Sequence, residues 1–419
     1  MSLTKTAAGA RGDNVRSDCF VEIDWRSRGN REIIIESKVA TLYGRSLKKL
    51  LGGMSSHFNV LRARIRLEDK GALPYVVAAR FEAAVRRHHA QTQDYVVSSK
   101  HKRQPSAKDR TRRSRLYLPG NEPKFFLNAA LHAPDCIILD LEDSVPPEEK
   151  DAARILVRNA LRSADFRQCE VSVRINQGPL GIEDLKMTAA HHVQVVYVPK
   201  VETAQQVRDV EAFLDESDKR IGGRWRTLII PIIESARGIV HAYEIASSSD
   251  RVCALAIGLE DYTADIGVPR TIEGRESLFA RSAVVNAAKA AGVQALDSVF
   301  SDVTAMEDLA RSTAESRALG FDGRGCIHPR QIRVIHEAFV PSDEEIRRAA
   351  DIVVAHDLAR REGKGVVALG SKMIDAPVVK RALKVIAGAV ASGKLRKHWR
   401  RNYALPERQT SSTSETAEA

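Results

Sequence analysis

Short apolar runs alternate with amphipathic stretches across most of the 419-residue chain. Eight runs stand out: RLYLP (115–119), CIILDLED (136–143), VSVRIN (171–176), VVYVPK (195–200), TLIIPIIE (227–234), CALAIGLED (253–261), ALDSVF (295–300) and GCIHP (325–329). Helical periodicity follows each one; PPEEKDAARILVRNAL after the second run opens on Pro146-Pro147 and an acidic first turn, as helices do. Eight strand–helix units predict an α/β fold, a TIM (β/α)8 barrel. No GxGxxG fingerprint follows the first strand to favour a doubly wound sheet.

A different pattern precedes the barrel. FVEID (20–24) and REIIIES (31–37) alternate as strands around a Gly29-Asn30 turn, and a helical stretch follows from Val39. ARIRLED (63–69) reads as a strand closed by Lys70-Gly71, and a helix starts at Pro74. Residues 1–90 are therefore expected to form a small α+β domain. Residues 91–111 lack apolar periodicity and read as a basic flexible linker. The barrel domain is expected over 112–395, and 396–419 as a basic, then disordered, tail.

Composition narrows the class. Hydrophobic residues make up 43% and charged residues 28%, and no apolar run approaches the roughly 18 residues of a membrane span. The opening MSLTKTAAGARGDN lacks the apolar core of a secretory signal. Cys19, Cys136, Cys169, Cys253 and Cys326 are scattered without CxxC pairs, which points to a reduced, cytoplasmic protein without a zinc site. The net charge of +11 is local: eight Lys or Arg face one acid in 100–115, and five face none in 394–401. Without these +7 and +5 segments the chain carries −1, so no extended basic face for nucleic acid is expected.

In a TIM barrel the active site forms at the C-terminal strand ends. Polar residues collect there: Asp140, Glu142 and Asp143, then Arg174 and Asn176, Lys200, Glu234, and Glu260 with Asp261. Any single carboxylate could cap a helix or make a surface salt bridge. The set together would repel itself unless a cation intervened, and oxygen-only ligands suit Mg²⁺.

RSRLYLPGNEPKFF (113–126), CIILDLEDSVPPEEKDAAR, VRIN, VPKVE, IIESARG (232–238), AIGLEDYTADIG (256–267), GFDGRGCIHPRQI (320–332) and GSKMIDAPVVKRA (370–382) resemble the citrate lyase β-subunit-like enzymes of the HpcH/HpaI aldolase superfamily. The resemblance implies a TIM barrel with Mg²⁺ held by Glu234 and Asp261. It implies that Arg174 binds the keto-acid portion or its carboxylate, that Asp140, Glu142 and Asp143 shape the layer behind the metal ligands and the water network, and that Pro119, Gly120 and Asn121 lie near the thioester and nucleotide end of the acyl carrier. It further implies that Asp375 acts as acid or base in a neighbouring subunit's site within a trimer, with citrate-lyase-like subunits as further partners.

SDCFVEI, LYGRSLKKLL and RIRLEDKGALPYVVAARFEAAVRR resemble the citrate lyase acyl carrier protein over about residues 9–88. The family's prosthetic-group serine falls on Arg16, with Ser17 one residue on. The departure argues against a prosthetic group at Ser17 and for free CoA thioesters as substrate, with Arg112, Arg113 and Arg115 as candidate phosphate-binding residues. The reaction implied is Mg²⁺-dependent cleavage of a citryl-, malyl- or citramalyl-type thioester into an acetyl-type thioester and a 2-oxo acid. Thioester hydrolysis and a noncatalytic assembly role are the alternatives.

Overall fold

The structure, a computed structural model, describes residues 4–403 apart from 100, 102, 223–224, 362–366 and 370–371. The tail read as disordered lies outside the described residues from 404 on. Among the described residues, no helix is long and apolar enough to cross a membrane.

The N-terminal part is a four-stranded sheet with two helices: β1 (Lys5–Gly9), β2 (Cys19–Trp25), β3 (Glu32–Ser37), α1 (Ala40–His57), β4 (Ala63–Asp69) and α2 (Pro74–Arg86). The strand order is β1-β2-β4-β3. The hairpin expected around Gly29-Asn30 does not form. Instead β2 pairs antiparallel with β4 (Val21 opposite Leu67), and β3 pairs parallel with β4 (Ile33 opposite Ile65). A parallel pair needs a crossover between its strands, and the 18-residue α1 supplies it. Buried Cys19, Val21, Ile23, Ile65 and Leu67 form the sheet's inner face. In α2 all eleven residues from Tyr75 to Val85 are buried, so the helix is covered on every side.

The covering comes partly from the barrel. Its strands are β5 (Ser114–Pro119), β6 (Cys136–Asp140), β7 (Glu170–Arg174), β8 (Val195–Val198), β9 (Leu228–Ile233), β10 (Ala254–Ile257), β11 (Gln294–Asp297) and β12 (Gly323–Cys326). All pair in parallel, and β12 closes on β5 with Gly325 opposite Arg115. The expected TIM barrel is thus observed. The helices include α3 (Lys150–Ser163), α4 (Pro179–Thr188), α5 (Ala204–Ile221), α6 (Ala236–Val240), α7 (Ala242–Ala246), α8 (Leu259–Asp265), α9 (Leu278–Ala290), α10 (Met306–Leu319) and α11 (Pro329–Phe339). Ile138, Val195, Tyr197, Ile230, Ala256 and Leu296 fill the interior, which makes it a packed core rather than a pore.

Residues 91–111 are not a free linker. Arg158 donates to the Tyr95 carbonyl (3.1 Å), Gln194 Nε2 to the Gln104 carbonyl (2.8 Å), and Arg103 to the Leu161 carbonyl. Burial pulls the Arg103 guanidinium down to about 10. Arg103 and Arg110 of the basic run are thus spent on backbone carbonyls of the barrel, Leu161 and Gln168.

The barrel segment also ends earlier than 395. From Glu337 the chain forms a separate compact unit with α12 (Asp343–Arg361), a hairpin of β13 (Val367–Leu369) and β14 (Lys372–Ile374), and α13 (Ala376–Ala391). Basic residues 394–403 belong to this unit: Trp399 and Tyr403 pack on its Ala349–Val353 cluster, and Tyr403 donates to Asp351 (2.8 Å).

Candidate active site

The segments after five consecutive strands, β6 to β10, bring the site together. At the end of β6, Asp140 is buried and receives Arg174 from the end of β7 as a two-pronged pair, Nε to Oδ1 at 2.6 Å and Nη2 to Oδ2 at 2.7 Å. Burial alone would raise the Asp140 carboxyl, but the Arg174 charge and its hydrogen bonds outweigh it and hold it below the usual range. Arg174 Nη1 lies 2.7 Å from Glu142 Oε2 and 3.4 Å from Asp143 Oδ2. The guanidinium also sits over the Tyr117 ring at 5.2 Å. Its fork is thus occupied by Asp140, and only the Nη edge faces the other acids.

Lys200, just past β8, occupies the centre. Its backbone adopts φ 52, in the left-handed region. Its amide N–H donates to Glu234 Oε1 at 2.7 Å, while its Nζ lies 3.2 Å from Glu142 Oε1 and 3.8 Å from both Asp143 Oδ1 and Asp261 Oδ1. Burial disfavours the ammonium, yet the carboxylates around it win and its proton is held more tightly than usual. Sequence reasoning placed Lys200 at a strand end without giving it a role; the lysine directly after the apolar run VVYVP was the available signal.

Glu234 follows β9 and is buried. Burial, then the charges of Glu142 and Asp261, push its carboxyl up to about 8, and burial raises Glu142 to about 7 despite Arg174. The residue between β10 and α8 makes room for it: a Cβ on Gly258 would stand 2.3 Å from Glu234 Oε2. Only glycine fits there. The GLED block is not strand to its end, as its pattern suggested: β10 stops at Ile257, and Glu260 and Asp261 lie in the first turn of α8. Glu260 turns away to Arg270 (2.6 Å), leaving half-exposed Asp261 facing Lys200.

Among the described residues, no group of three or more His, Cys, Asp or Glu is disposed to hold a metal. Two carboxylates, Glu234 and Asp261, remain as candidate ligands. Their donor chemistry fits Mg²⁺, which binds through one or two carboxylates and keeps several waters. The raised Glu234 carboxyl records a buried negative site that a cation would relieve.

The loop after β5 is held from two sides. Gly120 N–H donates to the Asp140 carbonyl (2.7 Å), and a Cβ there would come within 2.4 Å of that oxygen. Asn121 Nδ2 donates to Glu149 (2.5 Å), and its carbonyl accepts from Arg80 Nη2 (2.6 Å). Beside this loop opens a cavity of about 610 Å³ lined by Tyr117, Pro119, Lys124, His132, His328 and Arg330, among others.

Arg112, Arg113 and Arg115 are not part of this mouth. They sit at the opposite, N-terminal end of β5 or inside the barrel. Arg112 is buried in a pair with Glu170 (2.8 Å), Arg113 pairs with Asp135 (2.9 Å), and Arg115 donates to the Asp297 carbonyl within the core. Asp375 belongs to the C-terminal unit. It is exposed and caps α13, accepting from Val378 N–H at 3.1 Å.

A parallel barrel whose C-terminal mouth gathers carboxylates, an arginine and a lysine defines a class of enzyme rather than a binding module. Residues 113–329 match the HpcH/HpaI aldolase/citrate lyase family, and the chain belongs to this family of carbon–carbon lyases. It is 40% identical over 289 residues to citrate lyase subunit beta of Escherichia coli K12, covering 68% of this chain and 96% of that one. It is 32% identical over 309 residues to L-malyl-CoA/beta-methylmalyl-CoA lyase of Cereibacter sphaeroides, covering 68% and 97%. CitE of Mycobacterium tuberculosis, solved with magnesium, acetoacetate and coenzyme A, matches with a TM-score of 0.56 and 32% identity over 68% of this chain and 99% of that one. Residues 8–88 match the malonate decarboxylase delta subunit, an acyl-carrier type, as the N-terminal resemblance implied.

Proposed function

We propose that the protein is a Mg²⁺-dependent lyase that splits a malyl-, citramalyl- or citryl-type CoA thioester into an acetyl-type thioester and a 2-oxo acid. The observation that carries this reading is the pairing of buried Glu234 with Asp261 across Lys200, at the end of a strand series whose relatives are CoA-ester lyases and citrate lyase subunits.

Glu234 and Asp261 would hold the Mg²⁺, which would supply Lewis-acid polarisation of the substrate's hydroxyl. This chain's residues do the rest. Arg174, anchored by Asp140, supplies positive charge for the substrate carboxylate, whose arrival at Nη1 displaces Glu142 and Asp143 from that edge. Lys200 offsets part of the acids' negative charge while the site is entered. Asp375, from a neighbouring copy in a homotrimer, takes the hydroxyl proton as the bond between the α and β carbons breaks and passes it to the acetyl carbon, so that no net proton is gained or lost. The Pro119–Asn121 loop and the adjoining cavity, with Lys124 and Arg330 on its wall, suit the phosphates of the CoA end.

Arg16 stands where a carrier would need a hydroxyl for its phosphodiester, so the substrate is a free CoA thioester rather than one tethered to Ser17. The test is incubation with malyl-, citramalyl- and citryl-CoA: a 2-oxo acid should appear from one of them with Mg²⁺ and not with excess EDTA. Turnover undiminished by EDTA would contradict the metal assignment.

A further inference from the structure

The N-terminal domain resembles a carrier, and a carrier must move its arm between sites. Here the domain is fastened to the barrel by buried charge. Glu82 on α2 and Arg158 on α3 are both fully buried and meet through two hydrogen bonds, 3.0 and 2.6 Å. Asn159 Nδ2 donates to the Tyr75 carbonyl (3.1 Å), and Arg87 grips Asp151 at 2.7 and 2.8 Å. Undocking would expose to water the apolar side chains of a helix that is buried on all sides.

One contact of this seam reaches the site. Arg80, on α2 and 2% exposed, binds Asp18 through two hydrogen bonds (3.0 and 2.7 Å), and the same Nη2 donates to the Asn121 carbonyl at 2.6 Å. Asp18 adjoins Arg16 and Ser17, the carrier family's attachment region, and Asn121 belongs to the loop at the barrel mouth. Asn121 Oδ1 is buried with no hydrogen-bond partner among the described residues.

We infer that Arg80 is a positioning residue for the thioester site, and that the carrier-like domain serves as a fixed wall holding the Pro119–Asn121 loop through the Asp18–Arg80–Asn121 link. The inference rests on the CoA-thioester reading of that loop. A guanidinium suits the role because its rigid fork serves both Asp18 oxygens and the carbonyl at once; a lysine ammonium keeps the charge but not the geometry.

The test uses the full chain and CoA as the probe. Calorimetric titration should show Arg80→Lys weakening CoA binding about tenfold, the scale of one charge-assisted hydrogen bond. In turnover, KM should rise by a similar factor while kcat stays within about twofold, since only ground-state positioning is lost. Asp18→Asn should show the same split, more weakly. Hydrogen exchange of the wild-type chain needs no variant: CoA should slow exchange in the peptide holding Asn121 and also in those holding Asp18 and Arg80. Unchanged CoA affinity in folded Arg80→Lys protein, or protection confined to the barrel, would overturn the inference. Absence of CoA binding by the wild-type chain would overturn the thioester reading itself.

Discussion

Gly258 and Glu234 are locked together: a methyl group on Gly258 would lie 2.3 Å from Glu234 Oε2, well inside contact distance. The candidate metal ligand is thus placed by the absence of a side chain on the residue between β10 and α8. Gly258→Ala should leave the barrel folded but swing the Glu234 carboxylate aside. The Mg²⁺ concentration needed for half-maximal activity should rise at least about tenfold, the order of a metal-site perturbation one shell out. An unchanged Mg²⁺ requirement would show that Glu234 is not a ligand.

Arg174 is held by Asp140, Glu142 and Asp143. Arg174→Lys keeps the charge and loses the fork. Activity should fall about 10²-fold to 10³-fold, as when a preorganised electrostatic contact is removed. The melting temperature should move little by comparison. Activity within tenfold of wild type would remove Arg174 from the substrate site.

The acids of the site make a pH prediction for metal-free protein. Burial raises Glu142 to about 7 and Glu234 to about 8, whereas an unfolded glutamate titrates near about 4.3. Between these values the native state binds more protons than the unfolded chain, so stability is present at low pH and is lost as pH rises through 7 to 8. In EDTA the melting temperature should fall across that window, and Mg²⁺ or Glu234→Gln should flatten the slope. A melting temperature that rises with pH in EDTA would contradict the charge crowding.

The seam between the N-terminal domain and the barrel should be unforgiving of half-deletions. Arg158→Met strips Glu82 of its fully buried partner and leaves it Arg86 (2.9 Å), so the cost should approach, from below, the roughly 3–5 kcal/mol of breaking a buried pair. Removing residues 1–90 would likewise leave Arg158 facing water and the 91–111 segment unseated. We expect the truncated barrel to express poorly or melt far below the full chain. A truncated chain with wild-type stability would show that the docking is incidental.

Much of this was legible in the sequence because the barrel strands are buried on both faces and read as near-continuous apolar runs. The ends of those runs named Asp140, Arg174, Glu234 and Asp261 directly. What escaped was long-range. KTAAG, with Thr6 its single β-branched residue, gives a weak signal for β1, and it is a strand because it pairs with β2, Gly9 opposite Phe20. The parallel seat of β3 beside β4 depends on a partner thirty residues away. Arg112, Arg113 and Arg115 were placed on the wrong end of the barrel, although their position before the first strand pointed to the face opposite the chemistry. Their charge alone could not reveal that Glu170 and Asp135 would bury it.

The most direct measurement identifies both products of one turnover. With Mg²⁺ and the preferred β-hydroxyacyl-CoA, mass spectrometry should find an acetyl-type CoA thioester and a 2-oxo acid in equal amounts, and both should vanish together in Asp261→Asn. Free CoA and an intact hydroxy acid instead would mean that the same residues serve hydrolysis, and would contradict carbon–carbon cleavage of this substrate.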